Sequence, residues 1–143
     1  MGIKRKGSAI WEGNLKEGRG RISTDSGVLK ETQYSFGTRF ENGAGTNPEE
    51  LVGAAHAGCF SMALAAQLTE AGHAPKSIHT TATVHMEKLE AGFTVTGVRL
   101  DVDANVPGID QASFDKAADE AKRNCPISRL LNTEITMETR LEG

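Results

Sequence analysis

The chemistry available to this chain centres on two thiols. Cys59 and Cys125 are its only cysteines. A thiol within an apolar run is ordinarily a small buried hydrophobe. Several features set these two apart. Cys125 stands immediately before Pro126, where it can N-cap a helix, and a helix N-terminus favours a thiolate. His56 lies three residues before Cys59, so on a helix the two share a face. Arg39 precedes that helix, and the helix itself opens with Glu49 and Glu50. Three readings of the cysteines follow: inert buried thiols, metal ligands, or a redox pair.

A metal site is the sharpest competitor to the redox reading. His56-x-x-Cys59 is a workable ligand pair, and Cys125 with His73, His79 or His85 could complete it. Against it, no ligand pair recurs at zinc-ribbon spacing, and there is no His-Glu-x-x-His. The zinc deaminase pattern fails as well. His79 and His85 read as solvent-facing strand residues. His73 reads as a cation at the negative end of the preceding helix. A Cys–His hydrolase needs an orienting Asn or Asp and an oxyanion hole, and the sequence identifies neither. Gly18-Arg19-Gly20 reads as a hairpin turn, since it lacks the strand–turn–helix context of a phosphate loop.

Three zones must position these residues. Residues 1–47 are polar and Gly-rich, with strands expected at 6–12, at 20–24 and near 35–40. This zone has few large apolar residues, so it should lie across the rest of the chain or a partner. Residues 48–71 form a helix. Asn47 is its N-cap, Pro48 its first residue, and Gly72 its stop. Gly53, Ala54, Ala57 and Gly58 make a small-residue patch suited to a close helix–helix contact. In the third zone, Ile78, Thr80, Ala82, Val84 and Met86 alternate with polar residues, as in a half-buried strand. A turn at 90–92 leads to a second strand, 93–106. Its apolar parity switches across Thr96-Gly97, which predicts a β-bulge at Gly97. Asp110 caps a helix whose face is Phe114, Ala117, Ala118, Ala121 and Cys125. A short helix at 126–131 and a last strand carrying Ile135, Met137, Thr139 and Leu141 complete one domain, 1–143. The class is α+β: mainly antiparallel strands, with helices on one side.

Composition narrows the function. The chain has 143 residues, with 16 Lys plus Arg against 19 Asp plus Glu, a net charge of −3. There is no basic stripe to bind nucleic acid. The basic N-terminus has no apolar run behind it, so the expected location is cytoplasmic. A structural disulfide is disfavoured there. Residues 51–69 carry no charged side chain, which is near a membrane span in length. The six alanines, His56, Ser61 and Gln67 in that stretch argue instead for a helix buried on most sides in a soluble protein.

The run Thr46-Asn47-Pro48-Glu49-Glu50-Leu51-Val52-Gly53-Ala54-Ala55-His56-Ala57-Gly58-Cys59-Phe60-Ser61-Met62-Ala63-Leu64 resembles the central motif of the OsmC/Ohr family. That family comprises osmotically inducible protein C and the organic hydroperoxide resistance proteins. Cys125-Pro126-Ile127-Ser128 resembles its second cysteine motif. Gly27-Val28-Leu29, Thr38-Arg39-Phe40, Val106-Pro107-Gly108-Ile109 and the last strand extend the likeness along the chain. Trp11-Glu12-Gly13 and the position of Arg39 fit the OsmC branch. Gly58 stands where the family often has Ala.

The resemblance implies a thiol peroxidase acting on organic hydroperoxides in stress defence. Cys59 would be the peroxidatic nucleophile and Cys125 the resolving thiol. Arg39 and Glu49 would be the charged pair that activates the thiolate. It also implies an intertwined homodimer with two central helices, no metal or bound cofactor, and an external dithiol reductant of lipoyl type. The chemistry is coherent. A free thiol has a pKa near 8.5, and a guanidinium beside it favours the anion. Thiolate attack on the O–O bond releases an alcohol and leaves a sulfenic acid, which a second thiol converts to a disulfide. Phe60 and Met62, with Phe36 and Phe40, would favour an alkyl or aryl peroxide. Two other functions fit less well. One is a dimeric module for an apolar ligand with inert cysteines. The other is a general thiol–disulfide oxidoreductase, which the lack of a Cys-x-x-Cys argues against. Glu49 and Cys59 are ten residues apart on one helix, roughly 15 Å along its axis and about 80° apart around it. For both to serve one site, a second copy of the helix must deliver the carboxylate.

Overall fold

Gly20 shows how the N-terminal strands are held. It lies opposite Trp11 and Tyr34, and a Cβ there would sit 2.3 Å from the Tyr34 ring. The missing side chain lets the two rings meet, with centroids 5.6 Å apart. Strands β1 (Gly7–Glu12), β2 (Arg19–Thr24) and β3 (Thr32–Tyr34) form an antiparallel sheet in that order. They belong to one of two compact units in the computed structural model of the chain, which describes residues 2–143. This unit ends at Leu51, and the other is Val52–Gly143.

The strand expected near 35–40 is a helix, α1 (Phe36–Phe40). Ser35 and Thr38 close a reciprocal capping box: Thr38 N–H donates to Ser35 Oγ, and Ser35 N–H donates to Thr38 Oγ1. These local bonds satisfy the backbone where a strand pattern has no partner. As the composition suggested, the N-terminal unit is thin. Every residue of β1 is exposed, and no residue of this unit enters the hydrophobic core cluster.

Helix α2 (Pro48–Glu70) begins and ends as its sequence signals dictate. Glu50 N–H donates to Asn47 Oδ1 at 2.8 Å. At the other end Gly72, at φ 87°, allows His73 N–H to reach the Leu68 carbonyl and Gly72 N–H the Thr69 carbonyl. The helix is long and apolar enough to cross a membrane by length and composition. Phe60, Leu64 and Leu68 are, however, wholly buried within the chain's own core.

The second unit carries β4 (Ser77–Leu89), β5 (Gly92–Asn105) and β6 (Glu134–Glu142) in that order. β4 and β5 are antiparallel, with the expected alternation of half-buried and exposed residues along β4. His85 pairs with Gly97 and Met86 with Val95, so Thr96 is the extra residue of the expected bulge. β6 runs parallel to β5. A parallel neighbour needs a crossover, here α3 (Gln111–Asn124) and α4 (Pro126–Leu130). The core joins Phe60, Leu64 and Leu68 of α2 to Val98, Leu100 and Val102 of β5. Phe114, Ala117, Ala118 and Ala121 of α3 close it.

Two expectations about α2 need correction. The helix is not buried on most sides: Gly53, His56, Phe60, Leu64 and Leu68 form its one buried face. Val52, Ala55, Gly58, Met62 and Ala66 form an exposed apolar stripe opposite. The small-residue patch therefore splits. Gly53 faces a strand, where a Cβ would lie 3.1 Å from the Ala82 carbonyl oxygen, whereas a Cβ at Gly58 would meet nothing within 4 Å.

Candidate active site

Cys125 is fixed by two helices. Its N–H donates to the Ala121 carbonyl at the end of α3, and its sulfur accepts from Ser128 N–H as the N-cap of α4. Pro126 occupies the first turn of α4, which needs no N–H there. The side chain is buried, 1% exposed. Cys59 is half-buried on α2 and packs against the edge of the core.

The two thiols meet despite their separation in sequence. The Cys59 thiol interacts directly with that of Cys125 and with the backbone N–H of Ile127. Both are free thiols. Burial pushes the Cys59 thiol above its ordinary pKa, and the neighbouring Cys125 adds to the rise, while the Ile127 N–H opposes it. The two thiols act on each other as neighbours, and among the groups that act on Cys59 none is a cation that would stabilise its anion.

Arg39 and Glu49 form a forked pair within the N-terminal unit. Arg39 Nε donates to Glu49 Oε1 at 3.0 Å and its terminal nitrogen donates to Oε2 at 2.9 Å. Such a fork fixes the guanidinium in plane and direction. Arg39 sits in the last turn of α1 and Glu49 in the first turn of α2. Asn47 Nδ2 ties the two helices by donating to the Thr38 carbonyl. Beside the pair lies a cavity of about 240 Å³ lined by Trp11, Leu15, Tyr34, Phe36, Arg39 and Phe40. The guanidinium carbon is 5.2 Å from the Phe40 ring centroid.

Some candidate residues lie elsewhere. Phe60 is a core residue with no exposure, and Met62 is 78% exposed on the opposite stripe. Phe36 and Phe40 do line the aromatic cavity. His79 and His85 are exposed on β4. Among the described residues, no group of three or more His, Cys, Asp or Glu is placed to hold a metal. The spacing set His56 beside Cys59, but its imidazole instead lies buried with Nε2 2.7 Å from Ser128 Oγ. Ser128 was missed as a site residue. Its signal was its position three residues after a capping cysteine, where its N–H meets the cap.

Comparison with known proteins identifies the family. The chain is 53% identical to peroxiredoxin OsmC of Escherichia coli K12 over 143 residues, the whole of both chains. It is 28% identical over 125 residues to an organic hydroperoxide resistance protein of Xanthomonas axonopodis pv. citri, covering 85% of each. The fold matches the crystal structure of an OsmC-like protein from Mycoplasma pneumoniae over 100% of both chains, with TM-score 0.78 at 13% identity. Residues 41–140 match the OsmC-like protein family, a span that crosses the boundary between the two units and includes both cysteines. The chain belongs to the OsmC family.

Proposed function

We propose that this protein is a cysteine-based peroxidase that reduces organic hydroperoxides to alcohols, with Cys59 as the attacking thiol and Cys125 as the resolving one. The observation that carries the reading is the meeting of these two free thiols, in a chain 53% identical throughout to a peroxiredoxin. Attack of the Cys59 thiolate on the peroxide breaks the O–O bond. The alkoxide leaves as alcohol, and the sulfur is oxidised to a sulfenic acid. Cys125 then displaces hydroxide from that sulfur, giving a Cys59–Cys125 disulfide and water. An external dithiol, of lipoyl type by the family resemblance, returns the pair to thiols. Paired thiols of this kind suit a reducing, cytoplasmic setting.

Activation requires more than the second unit offers, because burial raises the Cys59 pKa. The Arg39–Glu49 fork is the cation best prepared to lower it. α2 is unbroken, so Glu49 and Cys59 of one chain stand roughly 15 Å apart along its axis. We therefore assign the fork at each site to a second copy of the chain, in a two-fold homodimer. The exposed stripe of Val52, Ala55, Gly58, Met62 and Ala66 supports this, as it gives a partner helix small residues to approach.

The test is consumption of cumene hydroperoxide with dithiothreitol as reductant. Wild type should turn over, and Cys59→Ser should not. With peroxide but no dithiothreitol, Cys125→Ser should complete a first turnover and then accumulate sulfenic or sulfinic acid at Cys59, read by intact mass. Full activity in Cys59→Ser would remove the reading.

A further inference from the structure

The mechanism leaves one buried polar network unused. His56 is 0% exposed in the middle of the core. Its Nε2 lies 2.7 Å from Ser128 Oγ, and Ser128 Oγ lies 3.3 Å from Cys125 Sγ, for which Cys125 is the donor. Ser128 N–H donates back to the same sulfur at 3.4 Å. The other imidazole nitrogen, Nδ1, is buried without a partner. A leucine would fill this space without leaving a polar atom unsatisfied, which is costly in a core. The thiol donates to the hydroxyl, and in the tautomer that carries its hydrogen on Nδ1 the hydroxyl donates in turn to Nε2, completing a chain from thiol to imidazole.

We propose that His56, acting through the Ser128 hydroxyl, accepts the proton that Cys125 loses when it resolves the Cys59 sulfenic acid. The inference rests on Cys125 being the resolving thiol. In the step, Cys125 S–H passes its proton to Ser128 Oγ as the Ser128 hydroxyl proton moves to His56 Nε2. The freed sulfur forms the S–S bond to Cys59, and the Cys59 S–O bond breaks. Hydroxide leaves and takes up the proton that the imidazole releases. Cys59 is reduced from the sulfenic level as Cys125 is oxidised, and the products are one disulfide and one water, with no other reactant.

The surroundings fit a transient acceptor. The core residues on β4, β5, α3 and β6, such as Val84, Leu100, Ala121 and Met137, are apolar. The titratable group linked to His56 is Cys125, through Ser128, and burial alone acts on the imidazole, with no charged neighbour contributing. Burial holds the imidazole below its ordinary pKa, so it is neutral and able to accept at neutral pH. No carboxylate props Nδ1, so the proton is not retained. His56 and Ser128 are thus positioning residues that move a proton and do not touch the peroxide.

The experiment uses the reduced full-length protein and one equivalent of cumene hydroperoxide. Two rates are followed by quenched intact mass: sulfenic acid formation at Cys59, trapped with dimedone, and Cys59–Cys125 disulfide formation. The readout is their ratio between pH 6.5 and 8. Ser128→Ala and His56→Gln should lower the disulfide-to-sulfenic ratio at least tenfold, and Ser128→Thr, which keeps the hydroxyl, should restore most of it. In Ser128→Ala, disulfide formation should climb about tenfold per pH unit, because thiolate then forms only by loss of the proton to solvent. Wild type should be nearly flat over the same range. A wild-type rate that itself climbs tenfold per unit overturns the relay, whether or not the variants fold. So does a wild-type ratio in folded Ser128→Ala and His56→Gln. Wild type that consumes peroxide without forming the Cys59–Cys125 disulfide overturns the resolving role, and the relay with it. A disulfide forming at unchanged rate in the variants overturns the relay alone.

Discussion

Mixing two inactive variants tests whether each site is built from two chains. Arg39→Met removes the guanidinium from the fork with Glu49, and Cys59→Ser removes the nucleophile. A cation close to a thiol lowers its pKa by about one to three units. Without Arg39, the thiolate fraction at neutral pH should fall by roughly the same number of decades, and peroxidase activity with it. Neither variant alone should then turn over appreciably. If the two chains reassort at random, half of the dimers are mixed. Each mixed dimer has one site with both lesions and one with neither, provided that Arg39 and Cys59 come from different chains. Activity should return to about a quarter of the wild-type value in the unfractionated mixture, and to about half in isolated mixed dimers, at equal total protein. If each site takes both residues from one chain, every site carries a lesion and recovery is near zero. The helix gives the reason to expect recovery. Ten residues of unbroken α2 separate Glu49 from Cys59 by roughly 15 Å along the axis and about 80° around it, beyond a carboxylate's reach. The variants are co-refolded with different affinity tags, mixed dimers are isolated by sequential capture, and hydroperoxide consumption is measured with dithiothreitol. Mixed dimers with no activity would refute the two-chain site.

Two further outcomes follow from the packing of α2. Within one chain a Cβ at Gly58 meets nothing within 4 Å, so Gly58→Ala should gain up to about 1 kcal/mol of helix propensity, less any cost of contact with the partner helix of the proposed dimer. Gly53→Ala gains the same propensity but sets its Cβ 3.1 Å from the Ala82 backbone oxygen of a strand paired along its length. Overpacking of this kind costs about 1–3 kcal/mol, so the steric term wins. Thermal unfolding at one protein concentration should place Gly53→Ala at least about 3 °C below Gly58→Ala. Equal midpoints would mean that the close approach imposes nothing. A third outcome concerns acid. Burial depresses the His56 pKa, so the unfolded chain takes up the proton first as pH falls below about 6.5. The stability owed to neutral His56 is full above that value and is lost as pH falls toward the folded pKa, at no more than about 1.4 kcal/mol per unit. Urea unfolding at pH 7.5 and 5.5 should show a larger loss in wild type than in His56→Gln, and equal losses would exclude the effect.

Local signals were readable where neighbouring residues alone decide the structure. Asn47-Pro48 and Gly72 bracket α2 because caps and left-handed stops are satisfied within a few residues. The period-two pattern of β4 and the parity switch at Thr96 are likewise local consequences of one face meeting a core. The segment at 35–40 misled the strand reading because Ser35 and Thr38 bond each other's backbone, a local chemistry that apolar spacing does not display. The motifs around Cys59 and Cys125 carry the family resemblance, and with it the expected roles of Arg39, Glu49, Cys59 and Cys125.

What the sequence determined by itself was the repertoire: two thiols, a capping position for one of them, an arginine ahead of a helix that opens on two carboxylates, and a helix too apolar to stand alone. Tertiary structure decided which of these meet. Only the α3–α4 crossover brings Cys125 to Cys59, and only the turn at α4 carries Ser128 to His56, 72 positions away. Tertiary structure also decided that α2 buries Gly53 against β4 and leaves Gly58 open. The helical period lists which residues share a face, but not what that face will touch. Contacts between distant segments depend on how sheet and helices close around a common core, and no short stretch of sequence encodes that closure.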